Sequence, residues 1–457
     1  MSCWNPDIIK RYGGHGPRYT SYPAASSFHE EITDQDYRDA LADGNNAKRA
    51  LSLYMHIPFC EHVCYYCACN RIVTGDKRIA EPYLETLLKE MTLKSALIDS
   101  QRPVVQMHWG GGTPTFFDDA QLTRLMHQTG RLFHLLDQDR GDYGIEVDPR
   151  TVTSSRLSLL RGLGFNRLSF GVQDLDPRVQ QAVNRVQPFE TILALFRSAR
   201  DFGFRSINAD LIYGLPWQSE TSLARTLEQL GALDPDRISL YNYAHLPSRF
   251  KVQRQIDETT LPSPSEKLRM LTRAGSMLEE MGYQLIGMDH FAKPDDALAQ
   301  AQRDGTLCRN FQGYSLHGDA DLVGFGVSSI SQLGTLYAQN ARQIDDWQMS
   351  LNQARFPVRQ GYRLDQDDEL RRDLIMTLLC GMQLDLEQFG QHWQIDAANY
   401  FRAELDSLRP LLADGLVTFD GRLLQITEMG RLAARAVAMV FDRYQTPQTA
   451  TRFSRII

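Results

Sequence analysis

The chain has 457 residues, of which 42% are hydrophobic and 23% charged, and its 49 Lys and Arg against 56 Asp and Glu give a formal net charge of −7. This composition excludes wholesale disorder, and the net negative charge argues against binding of nucleic acid or anionic lipid through charge. No stretch approaches the roughly 18 apolar residues of a membrane span, and the N-terminus lacks a secretory signal. We therefore expect a cytoplasmic protein without a membrane span or a nucleic-acid partner. In the absence of coiled-coil heptads, we also expect a monomer.

The first segment, residues 1–45, is rich in Tyr, Gly and Pro and contains the sequence GPRYTSYP at 16–23. Such a composition is typical of extended, polyproline-like chain. The segment is therefore predicted to be an N-terminal arm that lies over another surface.

Six short β-rich runs follow between residues 50 and 250, separated by stretches whose apolar residues recur every three or four positions, as in amphipathic helices. Strand–helix units in series predict a parallel sheet with right-handed connections, which curls into a full or partial barrel. We predict an α/β fold, a partial (βα)6 barrel in a domain spanning 46–345. The runs are 51–58, 103–112, 143–149, 167–173, 206–216 and 237–246.

Polar residues and glycines gather where these runs end. In a parallel barrel all the carboxyl ends of the strands open on one face, where such folds place their chemistry. The sequence thus predicts one site built from several strands. The residues concerned are Cys60, Gly110, Gly111, Gly112, Glu146, Asp148, Gln173, Asp210, Tyr243 and His245.

The last segment, 346–457, is mainly helical, with a predicted hairpin around Asp420 and Gly421. The order helix, helix, hairpin, helix resembles a winged-helix module. From residue 361 onward, however, acidic residues outnumber basic ones, so a DNA-binding face is missing. We expect this domain to pack against the barrel or cover it, and an iron–sulfur transcriptional regulator is disfavoured.

Four of the seven cysteines, Cys60, Cys64, Cys67 and Cys69, lie within ten residues directly after the first run. A single loop that supplies every ligand favours an iron–sulfur cluster, because cysteine thiolates bind iron at such spacings. A zinc site usually takes two ligands from a second, distant turn, and a redox-active dithiol needs only the Cys64 and Cys67 pair. Both alternatives stay open on spacing alone.

The C-x-x-x-C-x-x-C spacing resembles that of the radical S-adenosylmethionine (SAM) enzymes. In that superfamily three cysteines hold a 4Fe-4S cluster, and the amino and carboxylate groups of SAM chelate the fourth iron. The resemblance implies one such cluster, held by Cys60, Cys64 and Cys67. It leaves Cys69 beside the cluster, and not as a ligand while SAM is bound.

Longer motifs, in order along nearly the whole chain, resemble one family of that superfamily, the oxygen-independent coproporphyrinogen III oxidases (dehydrogenases) of haem biosynthesis. The motifs are GPRYTSYP, YMHIPFCEHVCYYCACN, HWGGGTPT, EVDP, NRLSFGVQ, VNR, DLIYGLP, YNYAHLP, GMDHFA and RNFQGY.

The resemblance implies oxidative decarboxylation of two propionate side chains of coproporphyrinogen III to vinyl groups, which gives protoporphyrinogen IX. The agent is a 5′-deoxyadenosyl radical made from SAM, so no catalytic side chain is assigned. The alternative is a haem chaperone on the same barrel that binds haem without decarboxylation. Cys69 and the GPRYTSYP arm favour the oxidase.

The family also accepts two SAM molecules, and the resemblance implies which residues bind them. The glycines of GGGTP let a backbone edge approach a ligand closely, while polar contacts come from later strands. The implied SAM-binding residues are Tyr54, Gly111, Gly112, Thr113, Glu146, Gln173, Arg185, Asp210, Ala244, Phe311, Gln312 and Ile330.

Contacts to the substrate are less defined by the sequence. A macrocycle with four propionates needs aromatic residues and a few basic ones, which makes Arg18, Tyr19 and His290 candidates. The resemblance further implies an electron donor of the flavodoxin or ferredoxin type and an electron acceptor, neither of which the sequence identifies.

Overall fold

A computed structural model describes residues 11–137 and 139–445. Residues 1–10 of the expected arm and 446–457 of the expected C-terminal domain lie outside the described residues. The central feature is a set of six parallel strands that pair in chain order, as predicted. They are β1 (Leu51–Ile57), β2 (Pro103–Gly111), β3 (Asp142–Val147), β4 (Arg167–Gln173), β5 (Ser206–Tyr213) and β6 (Arg237–Asn242).

The sheet continues beyond these six strands on both sides, which the sequence analysis does not predict. A seventh parallel strand pairs with β1 on the side away from β2. An antiparallel hairpin extends the β6 edge, and an antiparallel meander follows the seventh strand. The added strands are β7 (Gln284–Gly287), β8 (His290–Ala292), β9 (Asp321–Phe325), β10 (Ile330–Leu333), β11 (Leu336–Asn340) and β12 (Val358–Arg363).

The strand order is linear, from β7, β8 and β6 through β5, β4, β3, β2 and β1 to β9, β10, β11 and β12. A short strand, His134–Leu135, pairs with β2, and a hairpin of Cys308–Asn310 and Gly313–Ser315 stands apart from the sheet. The architecture is a mixed α/β fold built on a parallel sheet, in agreement with the prediction.

Helices follow the parallel strands and cover one face of the sheet. Their apolar residues are spaced for burial along one stripe, as in α6, where Ile192, Leu195, Phe196 and Ala199 are buried. The helices up to the C-terminal region are α1 (Asp34–Asn46), α2 (Ala80–Ser95), α3 (Asp119–Leu132), α4 (Ser154–Gly162), α5 (Pro177–Ala182), α6 (Phe189–Asp201), α7 (Glu220–Leu233), α8 (Pro264–Glu280), α9 (Ala297–Asp304) and α10 (Ile344–Asn352).

Alternation along the strands separates the core from the interior of the barrel. In β4, Phe170 and Val172 are buried in the main hydrophobic core, whereas Ser169, Gly171 and Gln173 line a cavity on the other side. Successive side chains of a strand point to opposite faces, so one strand serves both purposes.

The C-terminal region has its own hydrophobic core and a three-stranded sheet of Gln383–Asp385, Val417–Phe419 and Leu423–Ile426. The hairpin predicted around Asp420 and Gly421 is confirmed. The helices of this region are α11 (Gln366–Gly381), α12 (Leu386–Trp393), α13 (Ala397–Tyr400), α14 (Arg402–Ser407), α15 (Arg409–Ala413) and α16 (Ala434–Val440).

The described part of the arm packs on this C-terminal core. Tyr19 and Tyr22 are buried in it, and the Tyr19 hydroxyl donates to Asp442 at 2.9 Å. The arm is not extended throughout, because α1 begins after Thr33, whose side chain and that of Asp36 form a capping box. None of the described helices is both long and apolar enough to cross a bilayer.

Candidate active site

The cysteine loop leaves the carboxyl end of β1 and returns to it. The short strand Phe59–Cys60 pairs with Ile72–Val73, which closes the loop at its base. Within the loop the Cys67 amide donates to the Cys64 carbonyl at 3.2 Å, so the chain turns sharply there. As a result Cys60, Cys64 and Cys67 line one cavity of about 710 Å³.

Hydrogen-bond donors from later elements reach two of these sulfur atoms. The Thr113 hydroxyl lies 3.5 Å from the Cys60 sulfur, and guanidinium groups of Arg150 and Arg185 each lie 3.4 Å from the Cys64 sulfur. Asp148 binds both arginines, at 2.6 Å and 3.1 Å. Burial would raise the pKa of Asp148, but the two guanidinium groups hold it at about 2. The pocket is therefore electropositive beside Cys64.

Cys69 lines the same cavity as the other three cysteines of the loop and contacts Cys67. Its backbone amide lies 3.5 Å from the Cys67 sulfur. A hydrogen bond from the Cys69 thiol lowers the pKa of Cys67 to about 6 and raises the pKa of Cys69 itself. In this arrangement the Cys69 thiol stabilises the thiolate of Cys67. That Cys69 lies beside the cluster and is not a ligand stays a prediction.

The glycine motif at the end of β2 packs tightly against the start of the cysteine loop. Gly111 has φ +113°, and a side chain there would overlap the His56 ring, while one at Gly112 would overlap the backbone of Pro58. The Gly112 amide donates to the Ile57 carbonyl at 2.9 Å. Glycine is required at both positions, which brings bare backbone into the cavity.

Glu146 is held at the end of β3 by two donors. The His108 ring donates from Nε2 to one carboxylate oxygen at 3.2 Å, and the Gly111 amide donates to the other at 3.2 Å. Burial would raise the pKa of Glu146, but these hydrogen bonds and the charge of His108 leave it below its ordinary value. Glu146 therefore presents an ionised carboxylate to the cavity.

Asp210 of β5 lines the same cavity as Glu146, but among the described residues its hydrogen bonds come only from uncharged side chains. It accepts hydrogen bonds from the Ser169 hydroxyl at 2.7 Å and from the Asn208 amide at 2.9 Å. Burial raises its pKa to about 6. A cationic or hydroxyl-bearing ligand would favour its ionised form, because opposite charge and hydrogen bonding both stabilise a carboxylate.

Tyr54 belongs to a chain of rings that fastens β1 to the cysteine loop. The ring of His56 donates from Nε2 to the Asn70 carbonyl at 3.0 Å, so its Nδ1 accepts from the Tyr54 hydroxyl at 3.2 Å. Burial lowers the pKa of His56, which keeps this ring neutral. The Tyr54 ring also lies nearly parallel to that of His108, with centroids 6.1 Å apart.

Gln173 ends β4 in a left-handed conformation, φ +65°, where the pairing with β5 shifts register. Such irregularities redirect side chains near active sites. The structure thus gathers ten of the residues expected to bind the cluster or SAM around the 710 Å³ cavity: Cys60, Cys64, Cys67, Gly111, Gly112, Thr113, Glu146, Gln173, Arg185 and Asp210.

Four other named residues lie elsewhere. Phe311 and Ile330 pack in a small apolar cluster with Phe28, and the Ala244 carbonyl accepts from Gln253 at 3.2 Å. Gln312 lines a second, larger cavity of about 990 Å³ inside the barrel.

The two cavities share part of their walls. Glu146, Ser169 and Asp210 line both, so the larger cavity adjoins the one that holds the cysteines. Its remaining lining includes the rings of Tyr241 and His290. The arrangement can place a bulky ligand next to a group bound at the cysteines.

Sequence reasoning missed several residues of this site. Ser169 could have been found, since it lies two positions from the cavity-lining Gly171 on the same strand and therefore on the same face. His108 has no cavity-lining glycine at that spacing on its strand. Arg150 carried no signal, because its contact with Cys64 joins residues 86 positions apart.

The donors present fit a 4Fe-4S cluster. Four cysteine thiols line one cavity. Thr113, Arg150 and Arg185 donate to two of the sulfur atoms, as suits an anionic group bound through thiolates. Among the described residues, neither the cysteine loop nor any other part holds three His, Cys, Asp or Glu side chains arranged around a single metal ion.

Comparison with known proteins agrees with this geometry. Residues 54–230 match the family model described as the radical SAM superfamily, and residues 364–433 match that of the HemN C-terminal domain. A curated oxygen-independent coproporphyrinogen III oxidase from Pseudomonas aeruginosa is 50% identical over 454 residues, covering 99% of both chains. The enzyme of that name from Escherichia coli K12 is 46% identical over 99% of this chain and 98% of its own.

A solved structure is equally similar. The coproporphyrinogen III oxidase from Escherichia coli, described as a radical SAM enzyme, superimposes with a TM-score of 0.92 at 45% identity, over 97% of this chain and 99% of that one. Fold and cysteine site together define a radical SAM enzyme, with a 4Fe-4S cluster and SAM as its cofactors. Within that class, the chain belongs to the family of the oxygen-independent coproporphyrinogen III oxidases.

Proposed function

We propose that this protein decarboxylates two propionate side chains of coproporphyrinogen III to vinyl groups without oxygen, giving protoporphyrinogen IX. We base this on the cysteine cavity, which shares Glu146, Ser169 and Asp210 with a larger cavity. The chain that contains both cavities also aligns over 99% of its length with an oxidase of that name. Each conversion removes one hydrogen atom, one carbon dioxide and one further electron from the substrate, and an unidentified acceptor takes that electron.

Cys60, Cys64 and Cys67 would hold the 4Fe-4S cluster, which together with SAM supplies the radical that abstracts hydrogen from the propionate β carbon. Arg150 and Arg185 balance the negative charge of the Cys64 thiolate. Arg185 also donates to the Gly171 carbonyl at 2.6 Å, so its position is fixed before any ligand binds.

Glu146 and Asp210 would bind the hydroxyl or ammonium groups of SAM. Gly111, Gly112 and Thr113 would bind its methionine end, which carries the amino and carboxylate groups. Tyr54 would support this pocket through His56 and His108. The remaining named residues, Gln173, Ala244, Phe311, Gln312 and Ile330, belong to the proposed binding region for two SAM molecules.

We further propose three domains, with the arm at 1–45, the barrel domain at 46–345 and the mainly helical domain at 346–457. The protein works in the cytoplasm as a monomer and receives electrons from a flavodoxin or ferredoxin type of donor.

The proposed role of Cys69 predicts a separable effect. Cys69→Ser protein isolated without oxygen should keep its iron and sulfide, because Cys69 is not a ligand and a serine hydroxyl can still donate to Cys67. The measurement is iron and sulfide per chain with the visible absorbance of the cluster. Loss of iron to the level of a Cys60→Ser variant would make Cys69 a ligand.

The proposed role of Glu146 predicts weaker SAM binding. Glu146→Gln removes the charge but keeps the shape, so we expect the dissociation constant of SAM to rise about tenfold to a hundredfold, the range for a charged hydrogen bond. Equilibrium dialysis with labelled SAM on protein of matched iron content measures it. Glu85→Gln, a change at an exposed surface ion pair, is the control and should bind SAM like the wild type.

One assay tests the function as a whole. Reduced protein is incubated with SAM and coproporphyrinogen III without oxygen, and 5′-deoxyadenosine, methionine and carbon dioxide are quantified. Carbon dioxide released together with 5′-deoxyadenosine supports the oxidase. Stoichiometric haem binding without carbon dioxide would support the chaperone instead.

A further inference from the structure

Three arginines from distant parts of the chain act electrostatically on one carboxylate at the β6 edge of the barrel. Arg18 comes from the arm, Arg309 from the hairpin strand Cys308–Asn310, and Arg435 from α16. Arg18 binds Asp289, in the turn between β7 and β8, at 3.1 Å. Despite its burial, Asp289 has a lowered pKa, because the charges of Arg18, Arg435 and Arg309 stabilise its carboxylate.

Among the described residues, the arginines repel one another as well as attract Asp289. Burial lowers the pKa of Arg435, and repulsion from Arg18 and Arg309 lowers it further, against the attraction of Asp289. His290 adds no charge near neutral pH, because burial and Arg309 lower its pKa to about 4. Like charges that are partly shielded from water are costly to hold together unless an anion joins them.

Two polar groups of the cluster are buried without a partner. Among the described residues, nothing accepts a hydrogen bond from Nε or Nη1 of Arg309, and Nδ1 of His290 is likewise unpaired. Buried polar atoms are almost always hydrogen-bonded in folded proteins, so these atoms point to a missing ligand. The Arg309 guanidinium lies over the Tyr314 ring, 4.7 Å from its centroid, which keeps its plane in place.

The cluster borders the larger cavity. Tyr241, His290 and Tyr314 line that cavity, and Arg18 lies 5.7 Å from the centroid of the Tyr241 ring. The cavity extends to Glu146 beside the cysteine site. A ligand with carboxylates at the arginines and an apolar body along these rings would therefore reach the radical site.

We propose that Arg18 and Arg309 bind the propionate carboxylates that the substrate keeps, a role that rests on the function proposed above. Guanidinium groups bind carboxylates through paired, charge-assisted hydrogen bonds. Such binding stabilises the carboxylate and opposes its loss as neutral carbon dioxide. The reacting propionate therefore lies away from the arginines, toward Glu146, and the retained propionates anchor the macrocycle.

The test is the affinity of intact, iron-replete protein for coproporphyrinogen III, measured without oxygen by fluorescence quenching. Arg309→Gln should raise the dissociation constant about tenfold to a hundredfold, the range for a hydrogen bond to a charged group. The dissociation constant of Arg309→Lys should lie between those of the wild type and Arg309→Gln, because lysine keeps the charge but loses the paired donors of the guanidinium group. The control is Arg409→Gln, whose side chain is 78% exposed in the C-terminal region and which should bind like the wild type.

A second probe removes the charge from the ligand instead. The tetramethyl ester of coproporphyrinogen III should bind wild-type protein far more weakly than the free acid, and Arg309→Gln should reduce that difference. An unchanged affinity of Arg309→Gln for the free acid, with wild-type SAM binding, would overturn the assignment. If the affinity of Arg309→Gln is unchanged and the wild-type protein still releases carbon dioxide, the proposed function stands and only this inference fails.

Discussion

Cys64→Ser protein, isolated and reduced without oxygen, is expected to lack a stable 4Fe-4S cluster and to form 5′-deoxyadenosine more than about 100-fold more slowly than the wild type. Even partners of metal ligands change affinity or activity by about 10- to 100-fold, and removal of a ligand itself should exceed that range. A serine hydroxyl remains protonated where a thiolate is needed. Iron and sulfide per chain and the rate of SAM cleavage measure the effect.

A cysteine outside the site provides the matched control for this experiment. Cys308 is half-buried and its thiol lies 2.9 Å from the Ser315 carbonyl, a hydrogen bond that serine can also make. Cys308→Ser should retain iron and activity. Full iron content in Cys64→Ser would mean that the three-cysteine assignment is wrong.

The largest expected effect on stability comes from a buried ion pair behind β9. Lys94 and Glu90 of α2 are fully buried, with their charged atoms 2.7 Å apart. Lys94→Met leaves the Glu90 carboxylate buried without its counter-ion, and we expect a loss of about 3–5 kcal/mol in the free energy of unfolding. Denaturant unfolding followed by tryptophan fluorescence measures this loss.

The rest of the Glu90 network explains why this pair matters for the site. Glu90 accepts from the Gly326 amide at 2.8 Å and from the Trp347 indole at 2.9 Å. A side chain at Gly326 would overlap the His56 carbonyl, so this region packs directly against the strand that carries the cysteine loop.

Two further variants separate charge from packing. The double change Glu90→Gln with Lys94→Met removes both charges and should recover much of the loss, since an uncharged pair of similar size costs less to bury. Lys89→Met alters an exposed lysine of the same helix and should change stability by less than about 0.5 kcal/mol. A Lys94→Met protein as stable as the wild type would contradict the prediction.

Features with a local pattern were predictable. The six parallel strands were found within a few residues of their observed ends, because alternating runs and helical spacing repeat over short windows. The C-terminal hairpin followed from Asp420 and Gly421, and Gly421 indeed has a left-handed backbone, φ +99°. The cysteine loop was visible because its three candidate ligands are only a few residues apart.

Other features needed the third dimension. Strand β9 is short and lies 264 residues beyond the end of β1, yet it pairs with that strand in parallel. Helix α1 was not predicted, because the whole arm was expected to be extended on the basis of the polyproline-like composition of residues 16–23 alone. Contacts such as those of Arg150 with Cys64 leave no trace in a single sequence.

By itself, then, the sequence determined the order of the central strands, the loop of thiols and the resemblance to a family of radical enzymes. Each of these features depends on residues that are close together along the chain. Only the tertiary structure decided that Arg18 binds Asp289 within the electrostatic reach of Arg309 and Arg435, and that two cavities share one carboxylate-bearing wall. The physical reason is that burial and charge act through space, and folding brings together groups that hundreds of residues separate along the chain.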